Sequence, residues 1–430
     1  MKFRTERPES WQVCLACGNE TTELDPHTRC ATCGGLLEVQ HRPPKLSRAE
    51  LIERFTERRG QLPGAPASGV WRFREIVLPS AEEVVSHPEG NTPLLHRHAL
   101  DRWTGVDHLL LKHEGYNPTG SFKDRGMTVG VTQARRIGAT AVACASTGNT
   151  SASLAAYAAQ AGIPALVLVP ADQVAIGKLA QTLAYGARTL LVRGDFDDCL
   201  RLVDQASQRL GVYLLNSINP FRLEGQKTIV LELLQQLGWE PPDWIVLPAG
   251  NLGNTAAFGK ALLEAHRWGL ISRIPRLAAV QAAGAAPFAR SFAEDFANRY
   301  AVRAETVATA IRIGNPASFE RAVHAIRETE GVVLAVTDEA ILEAKAAVDG
   351  CGIGCEPASA ASVAGVRELV RRGLMAPEEH AVAVLTGHIL KDPGLLLKYH
   401  REMDPPPPGA NRPVEIDADL GAIERVLGSK

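Results

Sequence analysis

The sequence predicts an α/β protein built from two parallel sheets, each covered by helices on both faces, so that two three-layer domains result. Short apolar stretches alternate with amphipathic ones along most of the 430 residues, a pattern typical of parallel strands joined by helices. Four predicted strands are followed at once by a motif rich in Gly, Ser, Thr or Asn. Ligands bind beyond the carboxyl ends of strands in open α/β sheets, so this placement predicts a ligand site at that edge.

The overall composition is ordinary for a protein that acts on a small molecule. Hydrophobic residues make up 45% and charged residues 22% of the chain, and the net charge is -2. This balance gives no electrostatic basis for binding nucleic acid. No apolar run approaches the about 18 residues of a membrane span, and the first residues contain no apolar signal core. We therefore expect a cytoplasmic enzyme without a nucleic-acid or membrane partner.

Residues 1–42 are predicted to form a separate zinc-ribbon-like segment. Cys14-x-x-Cys17 and Cys30-x-x-Cys33 supply four thiols, and Cys17 and Cys33 are each followed by glycine. Two such pairs suit a tetrahedral structural zinc site. Disulfides are less favoured in a cytoplasmic protein. The remaining alternative is reduced, empty cysteines in a poorly ordered segment.

The rest of the chain divides by composition and periodicity. Residues 43–69 form a linker with one helix at 48–59, capped by Ser47. A larger domain takes residues 70–129 and 216–400, a smaller mobile domain takes 130–215, and a tail takes 401–430. Strands are predicted at 108–112, 141–145, 165–169, 188–192, 212–215, 244–247, 277–280, 332–336 and 381–385. Helices are predicted at 151–160, 178–185 and 195–210, and a short amphipathic helix within 417–427 is expected to pack back on the protein.

Lys123 is the first candidate for catalysis. It follows the turn Asn-Pro-Thr-Gly, where Pro118 and Gly120 would end any preceding helix, and Ser121 is expected to cap the next one. A lysine in the first turn lies near the positive end of the helix dipole, which disfavours its protonated form. A neutral amine is what Schiff-base chemistry needs. A lone lysine on a solvated helix face is the alternative.

A second candidate is the Gly-rich turn after the predicted strand at 244–247. Glycine lets backbone amides turn inward, and the following helix N-terminus favours an anion, so the turn suits a phosphate group. Its residues are Gly250, Asn251, Leu252, Gly253 and Asn254. The pattern matches neither common nucleotide-binding glycine motif. A purely structural turn is the alternative.

Taken together, the motifs resemble those of the threonine synthases, pyridoxal-phosphate enzymes of fold type II that are related to tryptophan synthase β and to the serine and threonine dehydratases. The resemblance covers roughly residues 70–400, in the order of that family. It rests on the segments 112–126, 146–150, 216–222, 248–254, 313–316, 356–362 and 386–388. The family implies pyridoxal phosphate as cofactor, a small amino-acid substrate and a homodimer.

The resemblance also implies roles for individual residues. Lys123 would hold the cofactor, Asn149 would contact the pyridine hydroxyl, Thr386 would face the ring nitrogen, and residues 250–254 would bind the cofactor phosphate. A hydroxyl opposite the ring nitrogen leaves that nitrogen largely unprotonated, which suits elimination and replacement. Residues matching the substrate site are Ser146, Thr147, Thr150, Lys178, Asn216, Ser217 and Arg222.

Arg222 bears most on the choice of substrate, because its rigid fork pairs well with a phosphate group. The alternative for Arg222 is capping of the helix that begins near Phe221, and for the Ser, Thr and Asn residues of 146–150 it is also helix capping. The resemblance implies conversion of O-phospho-L-homoserine and water to L-threonine and phosphate, by γ-elimination and β-addition of water. The alternatives are a cysteate synthase, a serine or threonine dehydratase, or a zinc-ribbon binding module with an inactive enzyme domain. One departure is Ile389, where the family has glycine.

Overall fold

The fold is described from a computed structural model, which covers residues 8–171 and 179–428. The strands are β1 Ser10–Cys14, β2 Glu20–Thr22, β3 Leu37–His41, β4 Leu94–His96, β5 Leu109–His113, β6 Ala141–Ala145, β7 Ala165–Pro170, β8 Arg188–Val192, β9 Val212–Leu214, β10 Trp244–Pro248, β11 Arg276–Ala282, β12 Val332–Val336 and β13 Ala381–Leu385. The helices are α1 Arg48–Arg59, α2 His98–Thr104, α3 Lys123–Arg136, α4 Asn149–Ala161, α5 Ala180–Ala184, α6 Phe196–Leu210, α7 Pro220–Gln226, α8 Thr228–Gln236, α9 Gly253–Arg267, α10 Pro287–Phe292, α11 Phe319–Glu328, α12 Asp338–Gly350, α13 Pro357–Arg371, α14 Pro393–Leu397 and α15 Leu420–Gly428. No helix of this described part is long and apolar enough to cross a membrane.

Two parallel sheets confirm the predicted fold class. The smaller sheet has the strand order β8-β7-β6-β9, and the larger has β12-β11-β10-β13-β5-β4. All neighbours in both sheets are parallel except β4, which runs antiparallel to β5 at the sheet edge. The sequence analysis assigned no strand to β4, which has only three residues.

The larger sheet buries both of its faces, which explains why its strands are continuously apolar. All five residues of β10 are buried. Ile245 and Leu247 pack into one hydrophobic cluster, whereas Trp244 and Val246 pack into another on the opposite face. Alternate residues of a strand point to opposite faces, so one strand contributes to both layers of helices.

The N-terminal segment is a small antiparallel sheet, ordered β2-β1-β3, that packs on the enzyme domain. His41 at the end of β3 lies 2.7 Å, Nε2 to Oε2, from buried Glu224 on α7. Lys260 of α9 donates to the carbonyl of Val39, and Arg321 donates to that of Leu37. Burial alone would raise the pKa of Glu224, but cations beside it hold that pKa below its ordinary value. The segment is thus anchored on the same short helix that carries Arg222.

Two expectations for the connecting segments have different outcomes. Helix α1 is capped as expected, because Ser47 and Glu50 form a reciprocal capping box. Helix α15 forms as expected, and only a narrow face of it is covered: Ala422 is buried, whereas Leu420 and Leu427 stay 70% and 69% exposed. The sequence shows an apolar stripe but not whether a surface exists to receive it. Lys178 and the start of the helix expected at 178–185 lie outside the described residues.

A cluster of buried charges fixes the helix that begins with Lys123. Glu232 accepts hydrogen bonds from Lys112 at 2.6 Å, from Arg125 at 2.8 Å and from Arg72 at 2.8 Å. Arg125 also donates to Glu114 at 2.6 Å and 2.8 Å. Because Arg125 lies on α3, this cluster ties the lysine helix to β5 and α8.

Candidate active site

The predicted site motifs meet at the carboxyl end of β13, where backbone hydrogen bonds join three loops. The amide of Phe122 donates to the carbonyl of Thr386 at 3.0 Å, and the amide of His388 donates to that of Gly120 at 2.9 Å. The amide of Glu356 donates to the carbonyl of Gly387 at 3.0 Å. The lysine loop, the threonine loop and the start of α13 therefore have a fixed spacing that does not depend on their side chains.

Lys123 is the first residue of α3, as predicted, but Ser121 does not cap that helix. Phe122 occupies the cap position in helical conformation, with no side-chain hydrogen bond, and the Ser121 backbone forms a bridge to Gly387 instead. The buried hydroxyl of Ser121 has no hydrogen-bond partner within residues 8–171 and 179–428. It is thus available to a ligand.

The environment of Lys123 favours a neutral amine. Burial and the nearby guanidinium of Arg222 lower the pKa of Lys123 to about 7, and Glu356 opposes the shift. The sequence analysis predicted the direction but attributed it to the helix end, whereas burial and the second cation are the causes found. Close contact of α3 with α7 brings Arg222 near, since a Cβ on Gly225 would lie 1.8 Å from the carbonyl oxygen of Arg125.

Glu356 lies in the segment 356–362, which resembles the one that lines the cofactor's face in the family, but the sequence analysis gave its side chain no specific role. Its carboxyl group accepts from Asn149 Nδ2 at 2.9 Å and from Thr386 Oγ1 at 3.2 Å. The two residues expected to contact the cofactor ring therefore share one acidic partner. Burial raises the pKa of Glu356, while the Asn149 hydrogen bond and the charge of Lys123 oppose the rise. An acidic residue directly before Pro357 in an Ala- and Ser-rich helix was the available sequence signal.

The Gly-rich turn leads directly into the N-terminus of α9, where the sequence analysis predicted an anion site. Leu252 adopts a left-handed conformation with φ of 63°, and α9 then begins at Gly253 without a side-chain cap. The buried hydroxyl of Thr255, in the first turn, has no protein partner. Asn251 braces the turn by donating to Ser217 Oγ at 2.7 Å and accepting from the amide of Ala317 at 2.7 Å. A helix end with free donors suits a phosphate group.

The turn after β6 presents a second uncapped helix end. Helix α4 starts at Asn149, and the residue before it is Gly148, which offers no side-chain cap. Ser146 Oγ accepts from the amide of Gly148 at 3.2 Å. Thr147 and Thr150 lie half-buried on the same turn. No side chain caps α4, so the helix-capping alternative for residues 146–150 is wrong.

Asn216 and Ser217 form hydrogen bonds that hold neighbouring turns in place. The Asn216 amide accepts from Ala145 N at 3.1 Å and donates to Ala145 O at 3.2 Å, which ties β9 to the end of β6. Asn216 thus positions the turn that carries Ser146. Ser217 accepts from Asn251 and so links the two turns.

Arg222 is a buried cation without an acidic partner in the described residues. One of its donors, Nη1, is bonded to the carbonyl of Leu215 at 3.0 Å, and Nε has no protein partner. Burial lowers the pKa of Arg222 to about 10. Helix α7 is capped by Asn219 and not by Arg222, so the capping alternative for Arg222 is wrong. An unpaired buried guanidinium favours binding of an anion.

The four N-terminal cysteines come together in space. Their sulfur atoms all lie within 4.8 Å of one another, with 3.4 Å between Cys14 and Cys33 and 3.7 Å between Cys17 and Cys30. Four thiolates at about 2.3 Å from zinc would lie roughly 3.8 Å apart. Backbone amides of Cys33 and Thr32 outweigh burial and lower the pKa of Cys30 to about 6, which favours the thiolate.

Comparisons with known proteins agree with this geometry. The family described as pyridoxal-phosphate dependent enzyme matches residues 85–387. Threonine synthase of Methanocaldococcus jannaschii is 43% identical over 420 residues, which covers 97% of this chain and 99% of that protein. Threonine synthase of Methanosarcina acetivorans is 44% identical over 419 residues, with 97% and 98% covered. The crystal structure of threonine synthase from Escherichia coli shares the fold, with a TM-score of 0.67 at 20% identity, covering 97% of this chain and 99% of that one.

The chain therefore belongs to the family of pyridoxal-phosphate-dependent enzymes, and within it to the threonine synthases. The residues present fit the cofactor, because a buried lysine with a lowered pKa, the Asn149 and Thr386 side chains joined through Glu356, and an uncapped helix end follow the carboxyl ends of strands in the two sheets. Lys123 would hold the cofactor, Asn149 and Thr386 would contact its ring, and residues 250–254 would bind its phosphate.

Proposed function

We propose that this protein converts O-phospho-L-homoserine and water to L-threonine and phosphate. The observation that carries the proposal is the proximity of Lys123, whose pKa is lowered to about 7, to a buried Arg222 that has no acidic partner among the described residues. Amine chemistry and anion binding are thereby combined in one site. A substrate that carries an amino group and a phosphate ester needs both the reactive amine and the anion-binding guanidinium.

When bound, pyridoxal phosphate supplies an electron sink for the substrate carbanion. The amine of Lys123 removes the α-proton and returns a proton later, which its pKa of about 7 permits near neutral pH. The guanidinium of Arg222 stabilises the charge on the departing phosphate. Asn216 and Ser217 keep the surrounding turns in place through their contacts with Ala145 and Asn251.

Ile389 is compatible with this function. A Cβ on Gly354 would lie 3.0 Å from Ile389 Cδ1 and 3.2 Å from its Cβ, so the side chain packs over the backbone of Gly354. Gly354 has φ of 71°, a conformation that glycine adopts without strain. The bulk of isoleucine is thus accommodated by a glycine on the facing turn.

Two sibling activities are the alternatives on the same scaffold. A serine or threonine dehydratase has no need of the unpaired Arg222, so that residue favours a phosphorylated substrate. A cysteate synthase also takes a phosphorylated substrate, and only an assay separates it from the proposal. A binding module with an inactive enzyme domain is disfavoured because Lys123, Asn149 and Thr386 are all in place.

The test is release of phosphate and threonine from O-phospho-L-homoserine by purified protein loaded with pyridoxal phosphate. Lys123→Ala is expected to abolish both products, whereas Lys45→Ala, in the exposed linker, keeps them. Equal amounts of both products support the proposal. Phosphate without threonine, or no turnover by a protein that binds the cofactor, overturns it. Phosphoserine with sulfite, and serine alone, are then tested.

We also propose that the four cysteines hold one structural zinc ion. Their mutual distances support tetrahedral thiolate coordination. Cys30→Ser is expected to lower the zinc content measured by elemental analysis by one ion per chain, whereas Cys351→Ser, distant in sequence and half-buried, keeps the wild-type zinc content. Metal-free wild-type protein with ordered β1–β3 would contradict the proposal.

The oligomeric state, the cellular location and the domain organisation are three further proposals. We infer a cytoplasmic homodimer, in which residues 130–215 form the mobile smaller domain and 70–129 with 216–400 form the larger one. The eight cysteines are unpaired in the described chain, which suits a reducing compartment. Light scattering coupled to gel filtration is expected to give twice the mass of one chain, and a monomer at micromolar concentration would refute the dimer.

A further inference from the structure

A cluster of histidines lies at the opposite end of the larger sheet from the active site. His96 ends β4, His98 begins α2, and Asp101 lies one turn further along α2. His108 directly precedes β5, and its ring centroid is 4.3 Å from that of His96. Strand β13 separates this end of the sheet from Thr386 by five residues, which is about 15 Å. The cluster is therefore distinct from the site already described.

The side chains in this cluster converge on one carboxylate oxygen. His96 Nε2 lies 2.7 Å and His98 Nδ1 lies 3.3 Å from Asp101 Oδ2. The three ligand atoms lie within 4.8 Å of one another. Donors bound at about 2.0–2.1 Å to a tetrahedral metal ion are separated by roughly 3.3 Å, so small rotations of the His96 ring would complete the geometry.

The carboxylate is held in place by the backbone of the neighbouring strand. Asp101 Oδ1 accepts from the amide of Leu109 at 2.9 Å, which orients Oδ2 toward the two imidazoles. Asp101 is buried, whereas the His98 side chain is 83% exposed. A fixed buried ligand with an open approach from solvent is the arrangement that metal sites with a free coordination position share.

We propose that His96, His98 and Asp101 form a site for a divalent first-row transition-metal ion, with zinc as the expected ion. Two imidazole nitrogens and one carboxylate oxygen suit zinc, copper and nickel more than magnesium or calcium. Water takes the remaining position. The ion would join the edge strand β4 to α2, and so it stabilises the edge of the larger sheet by favouring the folded state.

The test uses cobalt as a spectroscopic probe on protein whose four N-terminal cysteines have been filled with zinc. Wild-type protein is expected to bind one added Co²⁺ per chain at micromolar concentration, with visible d–d bands but no thiolate charge-transfer band. His98→Ala is expected to weaken that binding at least about tenfold. His324→Ala, an exposed histidine on α11 that lies 3.8 Å from Glu328, is the matched control and keeps the wild-type affinity.

A second measurement separates loss of the site from loss of the fold. With the four N-terminal cysteines already holding zinc, further zinc in excess is expected to raise the thermal midpoint of wild-type protein and of His324→Ala, but not that of His98→Ala. The midpoints of all three before this addition should agree, because the His98 side chain is mostly in solvent. Absence of added cobalt absorption up to about 100-fold higher concentration, equal affinity in His98→Ala, or a thiolate charge-transfer band would each overturn the proposal.

Discussion

The carboxyl group of Glu356 accepts a hydrogen bond from the amide of Asn149 at 2.9 Å, although 207 positions separate them in the chain. Asn149 begins α4, which packs on the smaller sheet, and Glu356 precedes α13, which packs on the larger one. This contact therefore crosses the gap between the two sheets at the site where the cofactor is expected. The same carboxyl group also meets Thr386 at 3.2 Å.

Replacing Glu356 tests how this contact prepares the site. Burial raises the pKa of Glu356, so an uncharged group of the same shape should replace it well. We expect Glu356→Gln to change the dissociation constant of pyridoxal phosphate by no more than about threefold, and Glu356→Ala to raise it about tenfold, the loss of one buried hydrogen-bond partner. Fluorescence titration of cofactor-free protein measures both. Equal affinity in the two variants would show that the carboxyl group is not needed.

The pKa of Lys123 predicts a pH dependence of cofactor binding. Only the neutral amine attacks the aldehyde, so the association rate should rise with pH and level off above a midpoint of about 7. Arg222→Leu removes the nearby cation that lowers this pKa, and the midpoint should move upward. Arg273→Leu, whose partner is Asp243 far from the site, should leave it unchanged. Stopped-flow absorbance gives the profile, and a wild-type midpoint near 10 would refute the assignment.

Arg222 should also control the use of the phosphorylated substrate. Arg222→Gln keeps some polarity but loses the charge, and hydrogen bonds to charged groups contribute about 1.5–3 kcal/mol each. We expect kcat/KM for O-phospho-L-homoserine to fall about 100-fold, with cofactor binding at saturating pyridoxal phosphate retained. Arg273→Gln is the control. Unchanged kcat/KM in Arg222→Gln would place the substrate phosphate elsewhere.

Glu232 should dominate the acid stability of the larger domain. Burial alone would raise the pKa of Glu232, but Arg125, Lys112 and Arg72 hold it well below the ordinary value of 4.5. Its stabilisation is therefore complete above about pH 4.5 and is lost as the pH falls further. Glu232→Gln leaves three buried cations short of a partner and should cost about 3–5 kcal/mol at pH 7.

The matched control for that variant is Glu83→Gln. Glu83 pairs with Arg135 at 2.5 Å, but its side chain is 80% exposed, so the loss should stay below about 1 kcal/mol. Urea denaturation at pH 7 and at pH 4 measures both variants. A similar cost for the two substitutions would mean that the buried cluster adds no more than a surface pair.

The sequence was sufficient for the parts of the fold that depend on local pattern. The strands at Val332–Val336 and Ala381–Leu385 were predicted to the residue, because apolar runs bounded by turn residues mark buried parallel strands. Ser47 was predicted as the cap of the helical run that follows it, and its reciprocal partner Glu50 is only three residues away. The prediction that Lys123 begins a helix depends on an equally local signal, the Asn-Pro-Thr-Gly turn before it.

The features that were missed depend on distant contacts. Ser121 has the right residue type for a cap, but its backbone pairs with Gly387, which no local pattern reveals. Glu356 gained a role only when Asn149 and Thr386 were brought beside it. The hydrogen bonds of the Asn216 amide to Ala145 were likewise not foreseen, because this pairing depends on the strand order β6-β9.

The backbone bridges between the loops of Lys123 and Thr386 have a mechanical consequence. Both loops belong to the larger sheet, whereas Asn149 and Ser146 follow β6 of the smaller one. Any rotation of the smaller sheet would therefore widen or narrow the distance from Asn149 to Lys123, but would leave the distance from Lys123 to Thr386 unchanged. Under the domain motion proposed above, the larger sheet would keep the reactive amine at a constant distance from Thr386, while the smaller sheet would move to admit and retain the ligand.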